Sequence, residues 1–342
     1  MKRTPYIIAS LLFICLALVL YSVLFMNNAV SNKSKIIEPK IIEQFIEIED
    51  LDLAKNYIDS IYQENPNNIN VLISRADFYL QISEERISIE CLSSCLNIEP
   101  KNNLCAEKLM EIHCAVFDKT DGVINKSGNS CKESIDYLLD FDSKNLTALY
   151  EKAKLSFYQG KNDLAERISM EILEIDSNNL GALKILTLIY TIDQNNKLAE
   201  KYHDKVLDQE PNSANYYTYG KYFQDLGNYE SAIEKYRISI SVDNKYFESY
   251  YSLGFCLLVL AESEKDELRK RDLLKEALQN FEKTVSLTSD SSKELYALYS
   301  QGRCYKNMGN YKAAIEKYKF CLMIEPGFEP AMNGILELEK NT

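Results

Sequence analysis

One turn recurs along this chain at a fixed interval, and no other feature restricts its fold as much. ENPNN (64–68), IEPKN (98–102), FDSKN (141–145), IDSNN (175–179), QEPNS (209–213) and IEPGF (324–328) align with one another. Pro66 to Pro100, Ser143 to Ser177 and Ser177 to Pro211 are each 34 residues apart, whereas Pro100 to Ser143 is 43, so the third repeat carries a nine-residue insertion. A period of that length with an acidic-Pro-Asn turn sets two antiparallel helices per unit.

Small side chains fix the phase. Ala54, Ser88, Cys131, Ala165, Ala199, Ala232, Ala277 and Ala314 stand at one position of each unit, twelve residues before the turn. Ala76, Ala153, Thr187, Gly220, Gly254 and Gly302 hold a second such position on the preceding helix. Where two helices cross tightly, anything much larger than a methyl group wedges them apart. Four residues after the second-helix position comes a larger core residue, as in Tyr236, Phe281 and Tyr318.

This pattern resembles the tetratricopeptide repeat family. The unit LYALYSQGRCYKNMGNYKAAIEKYKFCLMIEPG (295–327) puts Gly302, Tyr305, Ala314, Tyr318, Cys321 and Pro326 on that family's signature positions. NYYTYGKYFQDLGNYESAIEKYRISI (215–240) does so with Gly220, Phe223, Ala232 and Tyr236. The chain has no Trp, so Leu72, Leu149, Leu183, Tyr216, Tyr250 and Leu298 take the place of the family's frequent first-helix Trp. The resemblance implies an all-α fold: a right-handed α-solenoid of about eight such hairpins over 35–328, then a capping helix within 329–342. Two units depart from the period. Unit three inserts DKTDGVINKSGNS (118–130), read as turn throughout. Unit seven gains about eleven residues around ESEKDELRKRD (262–272), close to three helical turns, so its helices can lengthen without rotating their apolar stripe.

Residues 1–5 form a short tail before Tyr6–Met26, a run of 21 residues without charge. That is long enough to cross a hydrocarbon core of about 30 Å, so one N-terminal transmembrane helix is expected over 6–26, with a linker over 27–34. Lys2 and Arg3 precede the run directly and the next basic residue is Lys33, which favours a cytoplasmic N-terminus and repeats on the periplasmic or other extracytoplasmic side. The competing reading is a cleaved signal peptide, with Ala29-Val30-Ser31 as the processing site and a soluble exported product. The apolar run is longer than a usual signal-peptide core of about 7–15 residues.

Beyond Lys2 and Arg3 the chain carries 37 basic and 51 acidic residues, a balance of −14 that argues against a nucleic-acid partner. There is no Gly-rich phosphate loop, no HExxH and no G-x-S-x-G, and no cofactor, metal or small-molecule substrate is expected. His203 falls on a buried aromatic position and reads as a satisfied core residue, and His113 lacks a paired nucleophile. Cys95 and Cys321 share one repeat position, Cys256 and Cys304 another, and Cys131 takes a small-residue slot, so the cysteines read mainly as free, small hydrophobes. Cys114–Cys131, spanning the unit-three insertion, is the best candidate for a disulfide. Zinc is disfavoured because Cys91 and Cys95 have no matching second pair.

In arrays of this family the first helices line a concave face, with ligand-facing residues one turn apart. The resemblance places Tyr150/Lys154, Lys184/Leu188, Tyr217/Lys221, Tyr251/Phe255 and Tyr299/Arg303 there, ten residues without an acid. Such a stripe suits an acidic peptide or protein partner; the plainer reading is an amphipathic surface in a Tyr- and Lys-rich chain. The expectation is a non-enzymatic, membrane-anchored scaffold for protein–protein interaction. The alternative is an envelope chaperone or assembly factor that holds unfolded or newly translocated proteins.

Overall fold

The computed structural model describes residues 51–118 and 126–340. Those residues form sixteen α-helices and no strand. They are α1 (Leu51–Glu64), α2 (Ile69–Gln81), α3 (Glu85–Ile98), α4 (Asn103–Asp118), α5 (Lys126–Phe141), α6 (Leu146–Tyr158), α7 (Asn162–Ile175) and α8 (Leu180–Ile192). They continue with α9 (Asn196–Gln209), α10 (Ser213–Asp225), α11 (Tyr229–Val242), α12 (Phe247–Ser263), α13 (Glu267–Leu287), α14 (Ser291–Asn307), α15 (Tyr311–Ile324) and α16 (Glu329–Lys340). α1 is the second helix of the first expected repeat, α2–α15 follow as the two helices of each later one, and α16 stands where the cap was expected. The expected anchor at 6–26, the linker and the first helix of repeat one lie outside the described residues. No described helix is long and apolar enough to cross a membrane. The chain divides into two compact units, Met1–Gln159 and Gly160–Thr342, a boundary that falls between the two helices of repeat four.

The recurring turn works through its asparagines. Asn68, Asn145, Asn179 and Asn212 sit at the N-caps of first helices, where each side-chain oxygen accepts from backbone N–H groups of the opening turn. Asn195, Asn228 and Asn310 do the same for second helices. Each such cap is worth about 1 kcal/mol. The turns inside five hairpins each use one residue in the left-handed region: Gly160 (φ +69°), Gly227 and Gly309 (φ +74°) supply it most simply, and Ser83 and Gln194 adopt it in repeats two and five.

In repeats six to eight each hairpin closes by seating a second-helix ring on a first-helix glycine. A methyl group added to Gly220 would lie 2.7 Å from the Tyr236 ring, one on Gly254 3.0 Å from Phe281, and one on Gly302 2.3 Å from Tyr318. Tyr236, Phe281 and Tyr318 are fully or almost fully buried. Tyr318 also lies against Gly334 of α16, where a methyl would come within 2.6 Å, so one ring holds the last hairpin and the cap together. The eight small residues twelve positions before the turns are all buried, as their phase requires.

Repeat seven lengthens as expected: α12 and α13 have 17 and 21 residues, against 13 and 14 in α8 and α9. Repeat three differs from expectation. Helix α5 already starts at Lys126, so residues 126–130 are helical, not turn. They extend the face along which α5 packs on α4, where His113 Nδ1 and Ser134 Oγ meet at 2.7 Å.

The candidate disulfide Cys114–Cys131 is present, and the reading of the cysteines as mainly free needs correction. Cys114 and Cys131 form a disulfide joining α4 to α5, and Cys95 and Cys105 form a second across the turn between α3 and α4. Cys95 and Cys131 are therefore bonded, because the packing positions that called for small residues also bring a second sulfur into contact. Cys91, Cys256, Cys304 and Cys321 are buried free thiols, as expected of small hydrophobes. Burial pushes the Cys256 and Cys304 thiols up to about 12 and Cys321 to about 11, so all three stay protonated.

Two outcomes follow. Gly302→Ala should lower stability by about 1–3 kcal/mol in urea unfolding, and adding Tyr318→Leu should recover part of that loss instead of compounding it. Alkylation of the unfolded full-length chain without reductant should label five of the nine cysteines, and all nine after reduction.

Candidate partner-binding site

The ten stripe residues occupy the first helices as expected. Tyr150 and Lys154 lie on α6 in the first unit. The other eight lie on α8, α10, α12 and α14 in the second. Within that unit they are neighbours. Tyr217, Tyr251 and Phe255 pack against one apolar cluster, and Ser300 and Arg303 of α14 both act on the Tyr251 phenol, which burial shifts upward overall.

The tyrosines of the second unit are the rigid part. Each packs its ring against the second-helix aromatic that closes its hairpin. The centroid separations are 5.7 Å for Tyr217–Tyr236, 5.7 Å for Tyr251–Phe281 and 5.6 Å for Tyr299–Tyr318. Tyr299 also meets Phe328 edge-on at 5.5 Å. All three tyrosines are half-buried, as is Tyr150 of the first unit. Leu188, 44% exposed, is the most accessible apolar member.

The cations are less available than their sequence positions imply, because each has a carboxylate. Lys154 pairs with Glu151 at 2.7 Å, with side chains only 16% and 14% exposed. Lys184 bonds Glu210 at 2.7 Å, which holds that carboxyl below its ordinary range. Lys221 pairs with Asp225 one turn along α10, and Arg303 with Glu262 at 2.6 Å. Each stripe cation is thus compensated. Glu151 and Asp225 stand on the cation's own helix, at a spacing the sequence shows, whereas Glu210 and Glu262 come from other segments and are not revealed by the repeat register.

Residues that the sequence did not single out complete the carboxyl end of this face. A cavity of about 330 Å³ is lined by Tyr299 and Arg303 together with Glu262, Lys306, Asn307 and Glu337. Glu262 comes from the lengthened α12 and Glu337 from α16. A second cavity, about 310 Å³, lies in the first unit beside His113, Ser134 and Tyr137. His113 therefore does have a hydroxyl partner, which the sequence reading missed, since Ser134 approaches only across the packed hairpin. The Cys114 and Cys131 sulfurs and the Glu151 carboxylate converge within 4.8 Å, but the sulfurs are bonded to each other and offer no thiolate to a metal.

His203 is buried at 4% exposure, stacked on Tyr219 at 4.4 Å between centroids. It is a core residue but not a satisfied one, since its Nε2 has no partner among the described residues. Burial pushes it from 6.5 down to about 4.

These features define a protein of helical-hairpin repeats with no assembled catalytic constellation among the described residues. Residues 295–328 match the family model described as tetratricopeptide repeat. No curated protein matches the chain. Among solved structures, a tetratricopeptide repeat protein from Parabacteroides merdae is similar over 79% of this chain and 98% of its own, at 16% identity and TM-score 0.52. PilW, a type IV pilus biogenesis factor, is similar over 64% of this chain and 96% of its own, at 18% identity and TM-score 0.50. Yeast Tom70 is similar over 85% of this chain and 58% of its own, at 14% identity and TM-score 0.50. At such identities the likeness is one of fold.

The His203 environment has a measurable consequence. Its folded value lies below the unfolded one, so the unfolded chain binds the proton more readily. Stability of the second unit should be fully retained above pH 6.5 and fall by about 2–3 kcal/mol as pH drops from there to 4. His203→Phe should flatten that part of the urea-midpoint profile.

Proposed function

We propose that this chain is a scaffold for protein–protein interaction that takes a peptide or protein partner along the first-helix face formed by Lys184, Leu188, Tyr217, Lys221, Tyr251, Phe255, Tyr299 and Arg303, with Tyr150 and Lys154 as the corresponding pair of the first unit. The observation that carries this reading is the row of three tyrosines in the second unit, each held by a second-helix ring and each partly exposed. Rigid, amphipathic rings supply contact area with little conformational entropy to lose. The paired cations supply orientation and exclude wrong partners more than they add affinity. Strongly acidic partners are therefore a narrower class than the bare stripe suggests.

The scaffold is anchored by Tyr6–Met26 and held on the extracytoplasmic side. Two disulfides support that location, since such bonds persist where the surroundings are oxidising.

A photoreactive amino acid at Leu188 tests the reading. In intact cells it should give one adduct of defined mass, absent when the same group replaces Leu226, the C-cap of α10. Equal adducts at both positions would remove the groove. A broad ladder at Leu188 would favour a holding chaperone over a scaffold with a defined partner. Charge reversal at Lys154 is unsuitable for this purpose, because it would set two carboxylates together in a mostly buried site and report packing instead of binding.

A further inference from the structure

The cavity at the carboxyl end of the second unit draws its charges from three sources. Helix α14 brings two cations one turn apart, Arg303 and Lys306. The lengthened α12 brings Glu262, whose Oε1 accepts from Arg303 at 2.6 Å and from the Asn307 amide at 3.2 Å. The α16 cap brings Glu337, whose two oxygens each accept from Lys306 Nζ at 2.7 Å. Both acids thus come from segments outside the repeat pattern, one from an insertion and one from the cap. Without them the last first helix would present an uncompensated basic pair to the groove. With them it presents two opposed charges side by side, over a floor formed by Tyr299 resting on Tyr318.

Both pairs are open enough to exchange. Side-chain exposures are 29% and 36% for Arg303–Glu262, and 35% and 54% for Lys306–Glu337. Ion pairs this exposed are held by no more than about 1 kcal/mol each. A ligand carboxylate that takes Arg303 must displace Glu262, and a purely acidic ligand leaves that displaced carboxylate facing its own charge. A ligand with a cation beside its carboxylate meets both needs, because the cation takes up the displaced Glu262 or Glu337. The cavity, at about 330 Å³, is at the small end of ligand-sized sites and suits a short stretch of chain, not a folded surface.

We propose that this end of the groove selects a mixed-charge peptide segment, an acidic and a basic residue within two positions of each other, and that Glu262 and Glu337 are its specificity determinants. They act by rejecting uniformly acidic chains as much as by binding the cation. This rests on the groove reading above and adds the partner's charge pattern to it.

The experiment selects random dodecapeptides displayed on phage against the full-length protein and against a Glu262→Gln/Glu337→Gln variant whose urea midpoint is unchanged. Enriched sequences are then remeasured as labelled peptides by fluorescence anisotropy. The wild type should enrich sequences with opposed charges within two residues. In the variant, the preference for mixed-charge over all-acidic peptides should fall roughly three- to tenfold. Enrichment of all-acidic sequences by the wild type, or an unchanged preference in the variant, overturns the inference. If peptides bind and lose affinity on Tyr251→Ser while the two glutamates make no difference, the groove stands and only this inference fails. If no sequence is enriched by either protein, the inference fails, and the Leu188 adduct decides the groove separately.

Discussion

In repeats six to eight everything is referred to the contact between a second-helix ring and a first-helix glycine. That contact sets how closely the two helices of a hairpin approach, and the approach sets where the next hairpin packs. Tyr236, Phe281 and Tyr318 fill space that any side chain on Gly220, Gly254 or Gly302 would occupy. Those same rings are the surfaces on which Tyr217, Tyr251 and Tyr299 lie. The exposed face is therefore built directly on the innermost contact of each hairpin, with no intervening layer to soften it. Interiors packed this densely transmit a displacement instead of absorbing it.

Much of this was legible in the residues. The 34-residue period, the small positions and the large residue four places on gave the helices, their pairing and their buried faces, because close approach restricts side-chain size wherever it occurs. The growth of repeat seven was readable for a similar reason, since eleven extra residues preserve the helical phase. The start of α5 was not, because Gly128 and Asn129 are turn formers locally and yet lie within the helix. Charge was the least legible property. Glu210 and Glu262 neutralise stripe cations from positions 26 residues after Lys184 and 41 residues before Arg303, and no repeat rule connects such positions.

The two units hold themselves together by different means. In the first, Arg75 threads between Tyr62 and Tyr79, pairs with Asp59 at 2.9 Å and donates to the buried Cys91 sulfur at 3.1 Å, while two disulfides fasten the helices that follow. In the second, aromatic rings and glycines serve, and the three thiols stay unpaired. Repeat three, with its enlarged connection, is the part that most needs a covalent tie, and Cys114–Cys131 closes that connection. The arrangement matches constraint to need, since loop closure is entropically costliest where the connection is long.

The order of the bonded cysteines along the chain carries a consequence for biogenesis. Cys95 pairs with Cys105 and Cys114 with Cys131, so each bond joins partners with no other disulfide-forming cysteine between them, and the two closed loops neither nest nor overlap. On a chain that emerges amino end first from a translocation pore, the first loop can close before the second pair appears. The later thiols, Cys256, Cys304 and Cys321, emerge only after both bonds can be complete, and folding then hides them. Cys91, four residues before Cys95, is the one free thiol among the described residues that comes ahead of both bonds, so the fidelity of the first loop rests on its burial and on the Arg75 guanidinium that donates to its sulfur at 3.1 Å.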